Sequence, residues 1–248
     1  MTKTAIVTGG STGIGAELVR TLVNAGYRVA FTYRSSKDEA EAVATKLDGK
    51  AKAYRCDNGD EADLDAFYTA IDTDFGAPDL LVNNAGMQVW APLLDLETKD
   101  WDSVIQTNLR GCFLNTQRAA RLMVRDGIKG SIVNIGSGCN KLAFPNLVSY
   151  TASKGGIEQF TKVSAAELGP HGIRVNCVAP GAIEIERTKD EQDDYAGQWS
   201  PLTPLRRVGK PADIAGPVMF LASDQAGFVT GQTIWVDGGL FSQAPWPQ

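Results

Sequence analysis

Tyr150 and Lys154 stand four residues apart in a stretch, Val148–Leu168, that reads as an amphipathic helix. At that spacing the two side chains share one helix face, with Cβ atoms about 5–6 Å apart. A phenol titrates near 10, too high for a base near neutrality, and a neighbouring ammonium favours the phenolate. Such a pair can take a proton from an alcohol or return one to a nascent alkoxide. Taken alone, a Tyr and a Lys at this spacing are equally an ordinary surface pair. A second constellation opens the chain: Ala5–Thr8 runs into Gly9-Gly10-Ser11-Thr12-Gly13-Ile14-Gly15 and then into another amphipathic stretch. Gly9 permits a tight turn, Gly13 lets backbone N–H groups approach a pyrophosphate, and Gly15 lets the helix pack closely on the strand. Phosphate charge would be met by the helix N-terminus, with Ser11, Thr12 and Ile14 around it. The spacing is GxxxGxG rather than GxGxxG, and a turn without a ligand is the plain alternative.

Positioning these groups requires a regular frame, and short β-branched runs alternate with longer amphipathic stretches along the whole chain. The predicted strands are Ala5–Thr8, Arg28–Tyr33, Lys52–Cys56, Leu80–Asn83, Ser131–Gly136, Arg174–Val178 and Thr233–Val236. Between them lie helical patterns over Gly13–Ala25, Ser36–Leu47, Asp60–Thr73, Thr98–Asp126, Val148–Leu168 and Pro211–Ala222. The alternation implies βαβ units, and near-continuous apolar strands suit a parallel sheet buried on both faces. Ser36 is the expected N-cap of its helix, and Pro211 fits a first turn. No linker or repeat divides the 248 residues, so one domain is the economical reading. The stretch 182–205 lacks a clean period and is expected to be a loop serving as a lid. The tail 241–248 carries Phe241 and Trp246, expected to pack on the domain or on a neighbouring subunit.

Composition excludes several classes. One histidine and four cysteines, at 56, 112, 139 and 177 with no CxxC pair, are too few for a zinc or iron–sulfur site. His171, in Gly169-Pro170-His171-Gly172, reads as a turn residue before a strand, which leaves no histidine for a nucleophilic triad. A net charge of −5 argues against a duplex nucleic-acid surface. No apolar run approaches the roughly 18–20 residues that span a bilayer, and MTKTAIVTGG is too short and polar for a secretory signal. The expectation is a soluble cytoplasmic protein with reduced, mostly buried thiols.

Further motifs follow in order: Asn83-Asn84-Ala85-Gly86 after the fourth strand, Asn108 in the next helix, Ser137 at the end of the fifth strand, Tyr150-Thr151-Ala152-Ser153-Lys154, and Pro180-Gly181 after the sixth strand. Together with Thr8-Gly9-x-x-x-Gly13-Ile14-Gly15, and with 13 positions from Ser137 to Tyr150, this set resembles the short-chain dehydrogenases/reductases over the whole chain. The resemblance implies a single-domain α/β fold, a Rossmann-like doubly wound sheet of seven parallel strands with helices on both faces, a nicotinamide cofactor and a homotetramer. It also implies a catalytic set. Ser137 donates to the substrate oxygen, Tyr150 exchanges the proton, Lys154 binds the nicotinamide ribose, and Asn108 holds a water in a proton relay. By the same resemblance Asp57, with Asn58 beside it, bonds the adenine amino group. Asn84, leading Ala85 and Gly86, contacts the adenosine ribose, while Pro180, Gly181 and Ile183 lie along the nicotinamide. Read alone, Asp57 in Asp-Asn-Gly-Asp is a turn residue or helix cap. The threonine that the family places four residues beyond Gly181 is Ile185 here, which weakens the expectation of cofactor contacts from this loop.

Cofactor choice is read after the second strand, where an acidic side chain accepts from a free 2′-hydroxyl and a basic one pairs with a 2′-phosphate. Tyr33-Arg34-Ser35-Ser36 offers no carboxylate, and Arg34, with Ser35 beside it, suits the phosphate of NADP. Thr12 stands where many NADP-preferring relatives carry a basic residue, which keeps NAD open. Substrate is expected to meet Gln88, Cys139, Asn140, Glu184, Arg187 and Trp199, a mixture suited to a polyhydroxylated ligand. Gly127–Gly130 and Phe144–Asn146 look more like bacterial sugar 1-dehydrogenases than 3-oxoacyl-carrier-protein reductases. The expected function is therefore an NADP-linked oxidoreductase interconverting a secondary alcohol or sugar anomeric hydroxyl with its carbonyl. A 3-oxoacyl or other ketone reductase is the alternative. Outside that class stand a non-catalytic nucleotide sensor and an isomerase or dehydratase with a retained cofactor.

Overall fold

Strand pairing in the computed structural model, which describes residues 2–243, is parallel throughout. The strands are β1 (Thr4–Val7), β2 (Arg28–Tyr33), β3 (Ala51–Arg55), β4 (Leu80–Asn83), β5 (Ser131–Ile135), β6 (Arg174–Pro180) and β7 (Thr233–Val236). They form one seven-stranded sheet in the order β3-β2-β1-β4-β5-β6-β7. The order reverses between β1 and β4, and a crevice outside the carboxyl ends of strands at such a reversal is where ligands bind in open α/β sheets.

Alternate residues of each strand feed two separate cores, which is why the strands read as unbroken apolar runs. Ala5, Val7, Val29, Phe31 and Val82 face one layer, built from α1 (Gly13–Asn24), α2 (Lys37–Thr45) and α9 (Pro211–Ala222). Ile6, Ala30, Leu81, Ile132 and Val175 face the other, where Leu64, Phe67 and Ile71 of α3 (Glu61–Asp74) meet Leu114, Ala119 and Met123 of α5 (Gly111–Arg125). This is the expected single-domain doubly wound α/β fold.

The expected helix over Thr98–Asp126 is not one helix. It comprises α4 (Thr98–Val104), a π-helical turn over Ile105–Arg110, and α5. The widened turn has a visible cause: Asn58, just past β3, donates from Nδ2 to the Thr107 carbonyl at 2.7 Å, taking an acceptor from the helix ladder. Gly111 makes room for it, since a Cβ there would fall 2.1 Å from Asn58 Nδ2. The stretch 182–205 is likewise not an open loop, because it folds into α7 (Glu186–Glu191), α8 (Tyr195–Trp199) and a 3₁₀ turn over Ser200–Leu202. Ser36 does occupy the N-cap of α2, but its side chain makes no capping bond. His171 sits in a 3₁₀ turn ahead of β6, as expected. Phe241 packs edge-on against Phe144 at 5.7 Å between ring centroids, on its own domain, whereas Trp246 lies outside the described residues.

Candidate functional site

A cleft of about 900 Å³ opens at the carboxyl ends of the central strands, and it gathers most of the singled-out residues. At one end lies the glycine turn. Gly9 (φ 65°) and Gly13 (φ 51°) are both in the left-handed region, which a residue with a Cβ adopts only under strain. Asn84 holds this turn from below, its Nδ2 donating to the Thr8 and Gly9 carbonyls at 3.0 and 2.9 Å. Thr8 Oγ1 in turn accepts from the backbone of Asn84 and Ala85, so the turn and the Asn83–Gly86 segment form one unit. The first turn of α1 is left uncapped, because Thr12 makes no side-chain bond to it and it contains no acidic residue. Its amides therefore face the cleft without a built-in anion, which fits the pyrophosphate of a dinucleotide.

Ser11, Thr12, Ile14, Arg34, Ser35, Asp57 and Asn58 line the cleft around that turn. Arg34 is exposed and forms no ion pair among the described residues. No carboxylate stands beside it on β2, so the residues present fit a 2′-phosphate. Asp57 Oδ1 caps a turn by accepting from the Gly59 N–H at 2.9 Å, and the residue also lines the cleft. Asn58 is more committed, since Oδ1 accepts from Asn115 Nδ2 at 2.7 Å while Nδ2 holds Thr107.

At the other end Ser137, Tyr150 and Lys154 converge. Both Tyr150 and Lys154 rise from α6 (Val148–Leu168) one turn apart, and the Lys154 ammonium lies 5.5 Å from the Tyr150 ring centroid. Lys154 is 4% exposed, and its Nζ donates to the Ile135 carbonyl at the end of β5 at 2.7 Å. A buried ladder sets that register. Asn134 of β5 donates to Thr161, seven residues along α6 from Lys154, at 2.9 Å and accepts from Asn83 of β4 at 2.8 Å. Ser137 follows β5 in extended conformation, and its Oγ accepts from the Cys139 N–H at 3.2 Å, leaving its own proton to donate into the cleft. The Tyr150 hydroxyl has no hydrogen-bond partner among the described residues, so neither proton-bearing group is spent on the fold.

Asn108 lies outside the lining. Its amide is consumed by protein: Oδ1 accepts from the Met87 N–H at 2.8 Å, and Nδ2 donates to the Met87 carbonyl at 2.9 Å and to Ser153 Oγ at 3.0 Å. Ser153 passes the bond on to the Tyr150 carbonyl at 2.7 Å. Asn108 thus ties the segment after Gly86 to the turn that carries Tyr150, from inside the π-helical turn.

Of the expected substrate contacts, Gln88, Cys139, Arg187 and Trp199 line the cleft. Asn140 and Glu184 do not. Asn140 accepts from the Ser137 N–H at 3.1 Å, capping the short 3₁₀ turn that holds Ser137, and Glu184 pairs outward with Lys189 at 2.8 Å. Pro180, Gly181 and Ile183 line the cleft as well. Ile185 also lines it, while Thr188, three residues on, accepts from the Ile185 N–H at 2.9 Å and fixes the start of α7. The mouth is bridged where Gln88 Nε2 donates to Glu191 Oε2 at 3.0 Å, joining the two walls. Sequence reasoning did not single out Glu191, Gln192 or Tyr195, which face the cleft from a stretch without a readable period.

The cysteines are buried. Burial pushes the Cys56 and Cys112 thiols up to about 12 and Cys177 to about 11, so they remain protonated and poor nucleophiles. Among the described residues no group of three or more His, Cys, Asp or Glu could hold a metal, and no helix is long and apolar enough to cross a membrane.

The chain matches the sequence profile described as Enoyl-(Acyl carrier protein) reductase over residues 9–241. It is 40% identical over 244 residues to the 3-oxoacyl-(acyl-carrier-protein) reductase FabG of Staphylococcus aureus, covering 97% of this chain and 99% of that one. It is 36% identical over 243 residues to 3beta-hydroxysteroid dehydrogenase 1 of Eggerthella lenta, covering 96% and 93%. Among solved structures, a candidate gluconate dehydrogenase from Agrobacterium tumefaciens superposes with a TM-score of 0.90 at 34% identity, covering 98% of this chain and 97% of that one. A doubly substituted short-chain dehydrogenase/reductase from Serratia marcescens does so with a TM-score of 0.89 at 40% identity, covering 97% and 98%.

Proposed function

Because the chain belongs to the short-chain dehydrogenase/reductase family, we propose that it is an NADP-preferring oxidoreductase interconverting a ketone and a secondary alcohol. The observation that carries this reading is the placement of the Ser137 and Tyr150 hydroxyls, with the Lys154 ammonium behind them, at one end of a cleft whose other end is an uncapped glycine turn. When bound, the nicotinamide exchanges the hydride with the substrate carbon. In reduction, Ser137 donates a hydrogen bond to the carbonyl oxygen, stabilising the charge that grows there. Tyr150 then gives its phenolic proton to that oxygen, and Lys154 stabilises the phenolate left behind. Oxidation of the alcohol runs the same transfers backwards.

The substrate end is walled mainly by Met87, Trp90, Cys139, Phe144, Leu147 and Trp199, which favours a ketone on an apolar chain or ring over the free sugar expected from sequence. The names of the 3-oxoacyl reductase and hydroxysteroid dehydrogenase relatives support that choice. Polar groups at the mouth, Gln88, Arg187 and Glu191, together with the likeness to the candidate gluconate dehydrogenase, support the sugar acid or sugar reading as the second. Reduced-nicotinamide absorbance followed with 3-oxo esters, cyclic ketones, aldonic acids and sugars, with both cofactors and in both directions, separates the two readings. No turnover in any combination would sink both. An outward apolar face of Phe113, Phe160 and Val163 across α5 and α6 is consistent with a homotetramer.

The cofactor preference rests on Arg34. A charge-assisted hydrogen bond contributes about 1.5–3 kcal/mol, or roughly 10- to 100-fold in affinity. Arg34→Ala is expected to raise the KM for NADPH by about that factor while moving the KM for NADH less than about threefold. Equal losses for the two cofactors would remove the assignment.

A further inference from the structure

Besides Tyr33 and Tyr150 the cleft is lined by a third phenol, Tyr195, whose hydroxyl neither the fold nor the hydride-transfer chemistry uses. It heads α8 in a built position. Asp194 ahead of it holds φ at 51° and accepts from the Gly197 N–H at 3.1 Å, while the Tyr195 ring leans on Trp199 at 6.1 Å between centroids. The side chain lines the same cleft as Tyr150. Burial is the main cause that pushes its phenol up to about 12; Arg187 opposes the shift, and Glu191, Glu184 and Tyr150 reinforce it. The upward shift leaves Tyr195 a neutral donor at any working pH, unable to serve as a base. Its hydroxyl makes no hydrogen bond among the described residues, yet it is not one of the buried polar atoms sealed away from solvent. An unpartnered neutral O–H on a residue that lines a cleft of mostly apolar walls is matched by an acceptor on the ligand.

We propose that Tyr195 orients the substrate by donating to a second oxygen, one or two carbons from the reacting carbonyl, so that the preferred substrates are dioxygenated compounds of the 3-oxo ester or thioester class rather than simple ketones. The proposal rests on the ketone–alcohol reading above. Ser137 and Tyr150 grip the reacting oxygen, and Tyr195 grips the second from α8, fixing which face of the carbonyl is presented for reaction. A site built to bond a substrate oxygen discriminates against the analogue that lacks it.

The test compares ethyl acetoacetate with 2-heptanone, which has the same chain length without the second carbonyl, for the wild-type protein and Tyr195→Phe with NADPH. Phe keeps the ring contact with Trp199, and a thermal melt checks that the fold is retained. The ratio of kcat/KM for the oxo ester over the plain ketone is expected to fall by about three- to tenfold in the variant, the worth of one neutral hydrogen bond, with KM carrying most of the change. An unchanged ratio, in a wild-type protein that reduces either compound, overturns the role of Tyr195 and leaves the ketone–alcohol reading standing. A wild-type protein that reduces neither compound nor any other ketone overturns that reading, and the role of Tyr195 falls with it.

Discussion

Tyr150→Phe is expected to lower kcat by about 10²- to 10⁴-fold, the range that a positioned acid or base contributes, with the fold unchanged. The structural reason for expecting a clean result is that the Tyr150 hydroxyl has no partner among the described residues, so its removal leaves no buried group unsatisfied. The ring stays beside the Lys154 ammonium, and Lys154 keeps its bond to the Ile135 carbonyl at 2.7 Å. Cofactor affinity should therefore move little while turnover collapses. Fluorescence titration with NADPH and steady-state rates on one substrate check both halves. Near-normal turnover would show that another group supplies the proton, and a large loss of NADPH affinity would show that the hydroxyl serves binding instead.

Both the sheet and the Tyr150–Lys154 pair were legible from sequence, because each follows from a local period. Strands buried on both faces must be nearly all apolar, and Ile6 between Ala5 and Val7 serves one core while its neighbours serve the other. Tyr150 and Lys154 were legible because a spacing of four on a helix is itself a geometric statement. The π-helical turn over Ile105–Arg110 was not, since its cause is a side chain from another element, Asn58, reaching the Thr107 carbonyl across 49 residues of chain. A local period carries no trace of such a contact.

The helices of the stretch 182–205 failed to register for a different reason. Helices of six and five residues, α7 and α8, are too short to display an amphipathic stripe, and they are held by single side chains, Thr188 and Asp194, rather than by a buried face. Asn140 and Glu184 show the limit from the other side. A polar loop residue near Ser137 can face the cleft or cap the backbone, and sequence does not separate the two. Asn140 caps the Ser137 turn, while Gln88, no more polar, faces the cleft.

Gly15→Ala is expected to cost about 3 kcal/mol, near the top of the range for overpacking, and to lower the melting temperature by about 6–12 °C for a chain of this size. The added Cβ would fall 2.0 Å from the Gly9 carbonyl oxygen and 2.6 Å from Asn84 Nδ2, the two atoms whose hydrogen bond clamps the glycine turn. Neither can retreat cheaply. Gly9 is wedged on its other side, where a Cβ of its own would lie 2.9 Å from Ala85 Cα, and α1 is anchored by buried Leu18, Val19 and Leu22. Either the turn opens or the helix lifts, and both displace the uncapped amides that the pyrophosphate reading depends on, so NADPH affinity should fall by at least about tenfold, the equivalent of about 1.4 kcal/mol. Gly155→Ala provides the opposite sign from the same chemical change: Gly155 lies inside α6 with nothing within 4 Å of an added Cβ, and Ala is favoured over Gly in a helix by about 0.8–1.0 kcal/mol. Thermal melts of the two variants with and without NADPH therefore separate a packing clash at the turn from a general intolerance of added methyl groups. A Gly15→Ala protein that melts with the wild type and binds NADPH equally well would mean that the turn is not held as the Asn84 and Ala85 contacts require.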